Sequence, residues 1–167
     1  MITHDYVRTM AVYNRWQNEN LYGTAEALSD DVRKAQRGAF FGSIHATLNH
    51  LVWADQIWMS RFAGTPRPKA EGIPNSLNMY ERWEDLKRER ATFDDLIIGW
   101  AEKVDPVWLQ GDLTWYSGAA KRELTMPAAL LVTHFFNHQT HHRGQVHCML
   151  TQCGVKPGTT DLPFRNA

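Results

Sequence analysis

Four long segments of this chain repeat their apolar residues with the spacing of an α-helix, and this pattern restricts the fold more than any other feature. They cover approximately residues 5–28, 43–64, 78–103 and 125–154. An amphipathic helix is stable only when its apolar stripe is buried against another element. Four such helices joined by long inter-helix loops therefore predict an all-α four-helix bundle.

Residues that favour helix ends and turns support these boundaries. Thr3, Ser43 and Thr125 stand where a side chain can cap a helix N-terminus. Pro127 suits the first turn of the last helix, and Gly154 suits the position just beyond it. Two β-prone runs surround "SGAA" in "DLTWYSGAAKRELT", which predicts one small β-hairpin before the last helix. Leu162 and Phe164 in the tail are available to dock on the bundle.

Composition predicts one ordinary domain over residues 1–167 and excludes several classes of partner. Lys plus Arg equal Asp plus Glu at 18 each, so the chain lacks the basic excess expected of a protein that binds nucleic acid or an anionic membrane. It shows neither a signal-peptide core nor a long apolar span, so a cytoplasmic location is expected. Cys148 and Cys153 lie on different faces of one helix and are expected to be free thiols.

The stretch "HFFNHQTHHRGQ" holds four of the eight histidines. Residues four apart share a helix face, so His134 pairs with His138 and His138 pairs with His142. His134 and His142 are about 12 Å apart along the axis, too far for one ion to be bound by all three. His138 belongs to both pairs and is the best single candidate ligand. His141 points about 100° away and is expected on a flank. The spacing alone leaves a metal site and hydrogen-bonded surface histidines as open alternatives.

A third ligand would have to come from another helix. The second helix offers His45 and His50, which lie on different faces. His50 shares its face with small residues that leave room for an inward-pointing imidazole, whereas His45 lies nearer the helix start, where solvation is easier. His50 is therefore the better candidate.

Two motifs, "LNHLVWADQIWMSRFAG" and "HFFNHQTHHRGQVHCMLTQCGVKPGTTDLPF", resemble those of the DinB-like family of four-helix-bundle proteins, and the match spans nearly the whole chain in motif order. The resemblance implies a divalent metal held by His50, His138 and His142. The metal would be zinc, nickel or iron, and three protein ligands would leave coordination positions open.

Residues beside this triad are candidates for supporting it. Asp55 is expected to accept a hydrogen bond from the N–H of a ligand imidazole or to pair with Arg143, and the two roles are compatible. Asn49 and Gln145 are further candidates for contacts with the ligands. His134 is expected to line the pocket mouth or to shuttle a proton.

The functional expectations rest on the resemblance. Relatives include metal-dependent transferases that use a low-molecular-weight thiol, so the chain is expected to be a metal-dependent enzyme of the transferase or hydrolase type with a small-molecule substrate. The alternative is a non-catalytic metal-binding or stress-response protein. DNA binding is disfavoured by the neutral charge. A homodimer is expected because family members often pair through bundle helices.

Overall fold

The computed structural model of the chain describes residues 2–118 and 120–165. Its four long helices form the expected bundle, and they are α1 (His4–Glu26), α3 (Ile44–Phe62), α5 (Trp83–Ala101) and α7 (Ala128–Gln152). Short helices α2 (Asp30–Lys34), α4 (Gly72–Ser76) and α6 (Pro106–Gln110) lie in the connections, and a 3₁₀ turn (Leu162–Phe164) follows. The all-α class is confirmed.

Long helices that follow one another in sequence are not always neighbours in the bundle. Helix α1 packs against α5 and α7, and α3 packs against the same two helices. Consecutive helices α1 and α3 are therefore diagonal, as are α5 and α7. A short turn joins only adjacent helices, so these two diagonal connections have to be long. The candidate site forms where α3 and α7 face each other.

Two predicted helix starts are wrong. Residues 78–82 are not helical, because the Asn49 side chain accepts from the Tyr80 amide at 2.8 Å and donates to its carbonyl at 3.1 Å. These two hydrogen bonds satisfy the Tyr80 amide and carbonyl, which would otherwise pair within a helix. Thr125 does not cap α7. It lies in a strand opposite Thr114, with the two hydroxyls 2.8 Å apart, and Pro127 takes the cap position.

The predicted hairpin is confirmed. Strand β1 (Asp112–Ser117) pairs antiparallel with β2 (Arg122–Pro127), while Ala119 of "SGAA" lies outside the described residues. The tail does not dock through its apolar side chains, since Leu162 and Phe164 are 37% and 57% exposed. It is held instead through its backbone, because Tyr13 donates to the Thr160 carbonyl at 2.7 Å. Cys148 and Cys153 are free thiols, as expected.

The interior consists of two apolar clusters and a buried polar network. One cluster includes Phe93, Phe135 and Phe136, and the other includes Leu48 and Leu86. The network joins all four long helices through buried polar side chains, which are Asn14, Asn18, Asp55, Arg90, Asp94, Gln139 and Arg143. Because buried polar groups are costly unless they are paired, this network favours one register of the four helices.

Within the described residues, no helix combines the length and apolar character needed to cross a bilayer.

Candidate metal centre

The packing of α3 against α7 brings His50, His138 and His142 together. The Nε2 atoms of His50 and His138 are 3.3 Å apart, and one ring nitrogen from each of the three lies within 4.8 Å of the other two. Tetrahedral zinc with bonds of about 2.05 Å would hold its nitrogen ligands about 3.4 Å apart. The spacing of His50 and His138 therefore matches that of two ligands on one ion.

Hydrogen bonds orient two of the three rings. The Ser76 hydroxyl donates to the Ile73 carbonyl at 2.6 Å, so it can accept from Nδ1 of His50, which is 3.1 Å away. Nδ1 of His142 lies 2.8 Å from the Gln145 carbonyl oxygen and donates to it. A proton on Nδ1 leaves Nε2 with a free lone pair, which is the form that binds a metal. Both rings are thus set to bind through Nε2.

The three imidazoles are neutral at physiological pH. Burial, followed by the nearby His142, lowers the pKa of His50 to about 4. Burial, together with the surrounding histidines, lowers the pKa of His138 to about 3. Burial also lowers the pKa of His142, although its bond to Gln145 opposes this. Neutral rings do not have to lose a proton before they bind an ion.

This donor set fits a divalent transition metal. Two nitrogen lone pairs 3.3 Å apart repel each other unless a proton or a cation lies between them, and the low pKa values disfavour the proton. Imidazole nitrogen suits zinc, nickel and iron alike, so the ligands do not select one of them. The three-histidine group could hold such an ion.

An open cavity of about 310 Å³ adjoins the three histidines. Its walls are mostly aromatic and apolar, and the Phe41 ring lies 4.0 Å from the His50 ring, measured between centroids. The other lining residues are Phe40, Trp53, Ala54, Ile57, Trp58, Arg61, Ile73, His134, His138 and His142. The cavity can therefore admit a small molecule beside the three histidines.

The remaining histidines differ in how well they were predicted. His134 lines the cavity, one of the two roles expected of it, and makes an edge contact with Trp58 at 5.2 Å between centroids. His141 is exposed on the flank, as expected. His45 is not solvated as predicted. It is 2% exposed and its Nε2 lies 2.9 Å from the Tyr80 carbonyl, because residues 78–82 fold over the start of α3.

Asp55 takes neither of its predicted roles. Its carboxylate accepts from Arg90 at 2.7 Å and from Gln139 at 3.0 Å. Five helical residues rotate a side chain by about 140°, so Asp55 faces the bundle interior while His50 faces the cavity. Arg143 likewise bonds to Asn14 of α1 rather than to Asp55. Both belong to the polar network behind the site.

Of the other predicted neighbours, Gln145 contacts a ligand and Asn49 does not. Gln145 orients His142, whereas the Asn49 side chain forms hydrogen bonds with the Tyr80 backbone. Ser76, which orients His50 from α4, was not predicted as a site residue. Ser76 is 26 residues from His50 in a segment predicted to be a loop, and no local pattern marks it.

Comparisons with known proteins agree with this architecture. The model of the DinB family matches residues 1–167. Protein DinB of Bacillus subtilis (strain 168) is 26% identical over an alignment of 164 residues, and the alignment covers 94% of this chain and 91% of that protein. A DinB-like protein from Bacillus cereus ATCC 10987, solved by crystallography at 2.01 Å, superposes with a TM-score of 0.62 at 17% identity. That superposition covers 86% of this chain and 91% of the other, and it concerns the fold alone.

Proposed function

Because this chain belongs to the DinB family and places three neutral histidines beside an open cavity, we propose that it is a metal-dependent enzyme, either a thiol-dependent transferase or a hydrolase. The metal would be zinc, nickel or iron, and a low-molecular-weight thiol is the proposed cosubstrate of the transferase. Ligands are His50, His138 and His142.

The cavity is the observation that carries this proposal. A protein that only stores an ion, or uses it to stabilise its fold, needs no space beside it, and structural zinc sites are usually closed by a fourth protein ligand. Here about 310 Å³ of aromatic-walled space opens onto the histidines. This arrangement favours catalysis over the non-catalytic metal-binding or stress-response alternative.

The chemistry divides between the ion and the side chains around it. A divalent ion in this position supplies Lewis-acid chemistry, lowering the pKa of a thiol or water that binds it. Phe41, Trp53 and Trp58 exclude water and provide apolar surface for a substrate. His134 lines the cavity, and burial and the nearby Arg61 lower its pKa; the neutral ring is the proposed base that accepts a proton.

Elemental analysis of purified protein tests the ligand set. The His50→Ala, His138→Ala and His142→Ala variants are expected to lose most of their metal, while the control His147→Ala, on the same helix but outside the triad, keeps one ion per chain. Stoichiometric metal in all three variants would refute the site.

Turnover by the metal-loaded protein tests catalysis. Candidate electrophiles are incubated with several cellular thiols, and ester and amide substrates are tested in parallel. Turnover above that of the His138→Ala variant supports the proposal. Stoichiometric metal without turnover in any of these assays would favour the non-catalytic alternative.

We propose one domain over residues 1–167, a cytoplasmic homodimer, and no binding to nucleic acid or membrane. Light scattering at several protein concentrations tests the dimer. Duplex binding that weakens with salt at micromolar protein would contradict the absence of nucleic-acid binding.

A further inference from the structure

One cationic side chain, Arg61, lines the cavity, and no ion pair among the described residues balances its charge. Arg61 follows His50 by eleven residues on α3, which returns it to within about 20° of the same helix face. It lines the cavity with the histidines. None of the ion pairs found among the described residues involves Arg61. No lining residue of this cavity is acidic.

Aromatic rings hold the guanidinium in place. Its central carbon lies 4.5 Å from the ring centroid of Trp58 and 5.5 Å from that of Trp115. Stacking occupies the face of a guanidinium and leaves its N–H edge available, and that edge matches a carboxylate in a two-bond fork. The same rings remove water from the cation, and burial followed by the nearby Arg67 lowers the pKa of Arg61. An anion placed here would offset that cost.

We propose that Arg61 binds a carboxylate of the substrate or cosubstrate and so selects an anionic, elongated small molecule. This inference rests on the proposed function, because Arg61 would bind one end of a molecule whose reactive end lies at the three histidines. The Cα atoms of His50 and Arg61 are separated by about 16 Å along the helix axis. The Arg61 side chain leans back toward the helix N-terminus and shortens that span. A ligand that contacts both Arg61 and the three histidines must still be several bonds long.

Carboxylate selectivity in binding tests this assignment. The probes are ω-mercaptoalkanoates of increasing length and the matching ω-mercaptoalkanols, which differ only in the terminal group. Each is titrated into cobalt-loaded protein by calorimetry. A charge-assisted hydrogen bond predicts that the best acid binds roughly ten- to hundredfold more tightly than its alcohol.

Two substitutions separate charge from packing. Arg61→Met keeps the unbranched stem against Trp58 and is expected to abolish the preference for the acid, while binding of the alcohol changes little. Arg61→Lys keeps the charge without the fork and is expected to keep part of the preference. Arg88→Met removes the same charge from an exposed position on α5 and serves as the control, with the preference intact. Circular dichroism verifies that each variant is folded.

The outcomes for Arg61 and for the proposed function are distinguishable. Equal binding of acid and alcohol by the unaltered protein, an unchanged preference in Arg61→Met, or no binding of any acid at millimolar concentration would each overturn the assignment of Arg61. The cobalt absorption spectrum reports separately whether sulfur reaches the ion. An acid preference that is lost in Arg61→Met without a spectral change would support the carboxylate site while contradicting thiol coordination.

Discussion

The buried pair of Asp55 and Arg90 provides the sharpest test of how this bundle holds its site. Asp55 is 1% exposed and Arg90 is 3% exposed. Their ion pair of 2.7 Å joins α3 to α5, and Gln139 of α7 donates to the other carboxylate oxygen at 3.0 Å. Asp55→Asn removes the charge while nearly preserving the shape, so we expect a loss of stability without a large cavity.

The expected cost follows from what remains around Arg90. Removing one partner of a buried pair costs about 3–5 kcal/mol, because it leaves a charge without compensation. Arg90 keeps Asp94, whose carboxylate is 2.9 Å away, so the lower end of that range applies. We expect the free energy of unfolding to fall by about 3 kcal/mol. In a chain of this length, 1 kcal/mol shifts Tm by about 2–4 °C, so Tm should fall by roughly 6–12 °C.

Urea unfolding of the metal-free protein measures this loss. The matched control is Asp95→Asn, which alters an exposed ion pair with Arg15 on the same bundle and should change stability by less than about 1 kcal/mol. A double-mutant cycle with Arg90→Met isolates the pair and should give a coupling energy of about 2 kcal/mol or more. A loss below about 1 kcal/mol in Asp55→Asn would refute the reasoning.

Metal affinity provides an independent readout of the same variant. A carboxylate that orients a ligand imidazole typically contributes 10–100-fold to affinity. Asp55 bonds to Arg90 and Gln139 instead, so we expect the affinity of folded Asp55→Asn to change less than about threefold. A tenfold loss with unchanged stability would assign Asp55 to the metal site after all.

Three further predictions concern the candidate ligands and the loop before α3, whose Phe41 packs against His50. Ser76→Ala and Gln145→Ala each remove the acceptor of a ligand Nδ1 proton, and each should weaken metal binding about tenfold in competition with a chromophoric chelator. An unchanged affinity in both would show that these bonds do not orient the rings. Because the pKa of His138 is lowered to about 3 and that of His50 to about 4, both rings stay neutral as pH falls through the ordinary histidine value of 6.5. Burial also lowers the pKa of His142, so metal affinity should be retained through pH 6.5 and fall only at lower pH; a midpoint at or above 6.5 in a pH titration of metal binding would contradict this. Gly42 has a φ of +80°, so Gly42→Ala should lower the free energy of unfolding by about 1–2 kcal/mol, and thermal unfolding that matches the unaltered protein would show that the loop relaxes without strain.

Helical periodicity was sufficient to predict the fold class, because the period of an α-helix determines which side chains share a face. It placed all four long helices, and it separated His138 and His142 from His141 within one crowded stretch. Capping residues predicted the starts of α1 and α3, where Thr3 and Ser43 accept from backbone amides. These relations involve neighbours in sequence and so can be read without the tertiary structure.

Helix starts that depend on distant partners could not be predicted in this way. Asn49 of α3 bonds to the Tyr80 backbone and keeps residues 78–82 out of α5. Strand pairing with Thr114 takes Thr125 away from the position of a helix cap. In both cases a contact with a remote residue satisfies backbone or side-chain groups that local propensity assigned to the helix.

The candidate metal centre shows the same division. Spacing along α7 identified His138 and His142 as neighbours on one helix face, and motif resemblance pointed to His50 on α3. The Nδ1 acceptor of His50 is Ser76, which reaches it only because α4 folds against α3, and Arg61 shares a cavity with His138 and His142 only because α3 packs against α7. Angular relations within one helix are set by the period of the backbone, whereas partners across helices are chosen by packing and by the need to pair buried polar groups. The sequence alone therefore determined the helices and pointed to the ligand histidines, and the tertiary structure decided what orients those histidines and what faces them across the cavity.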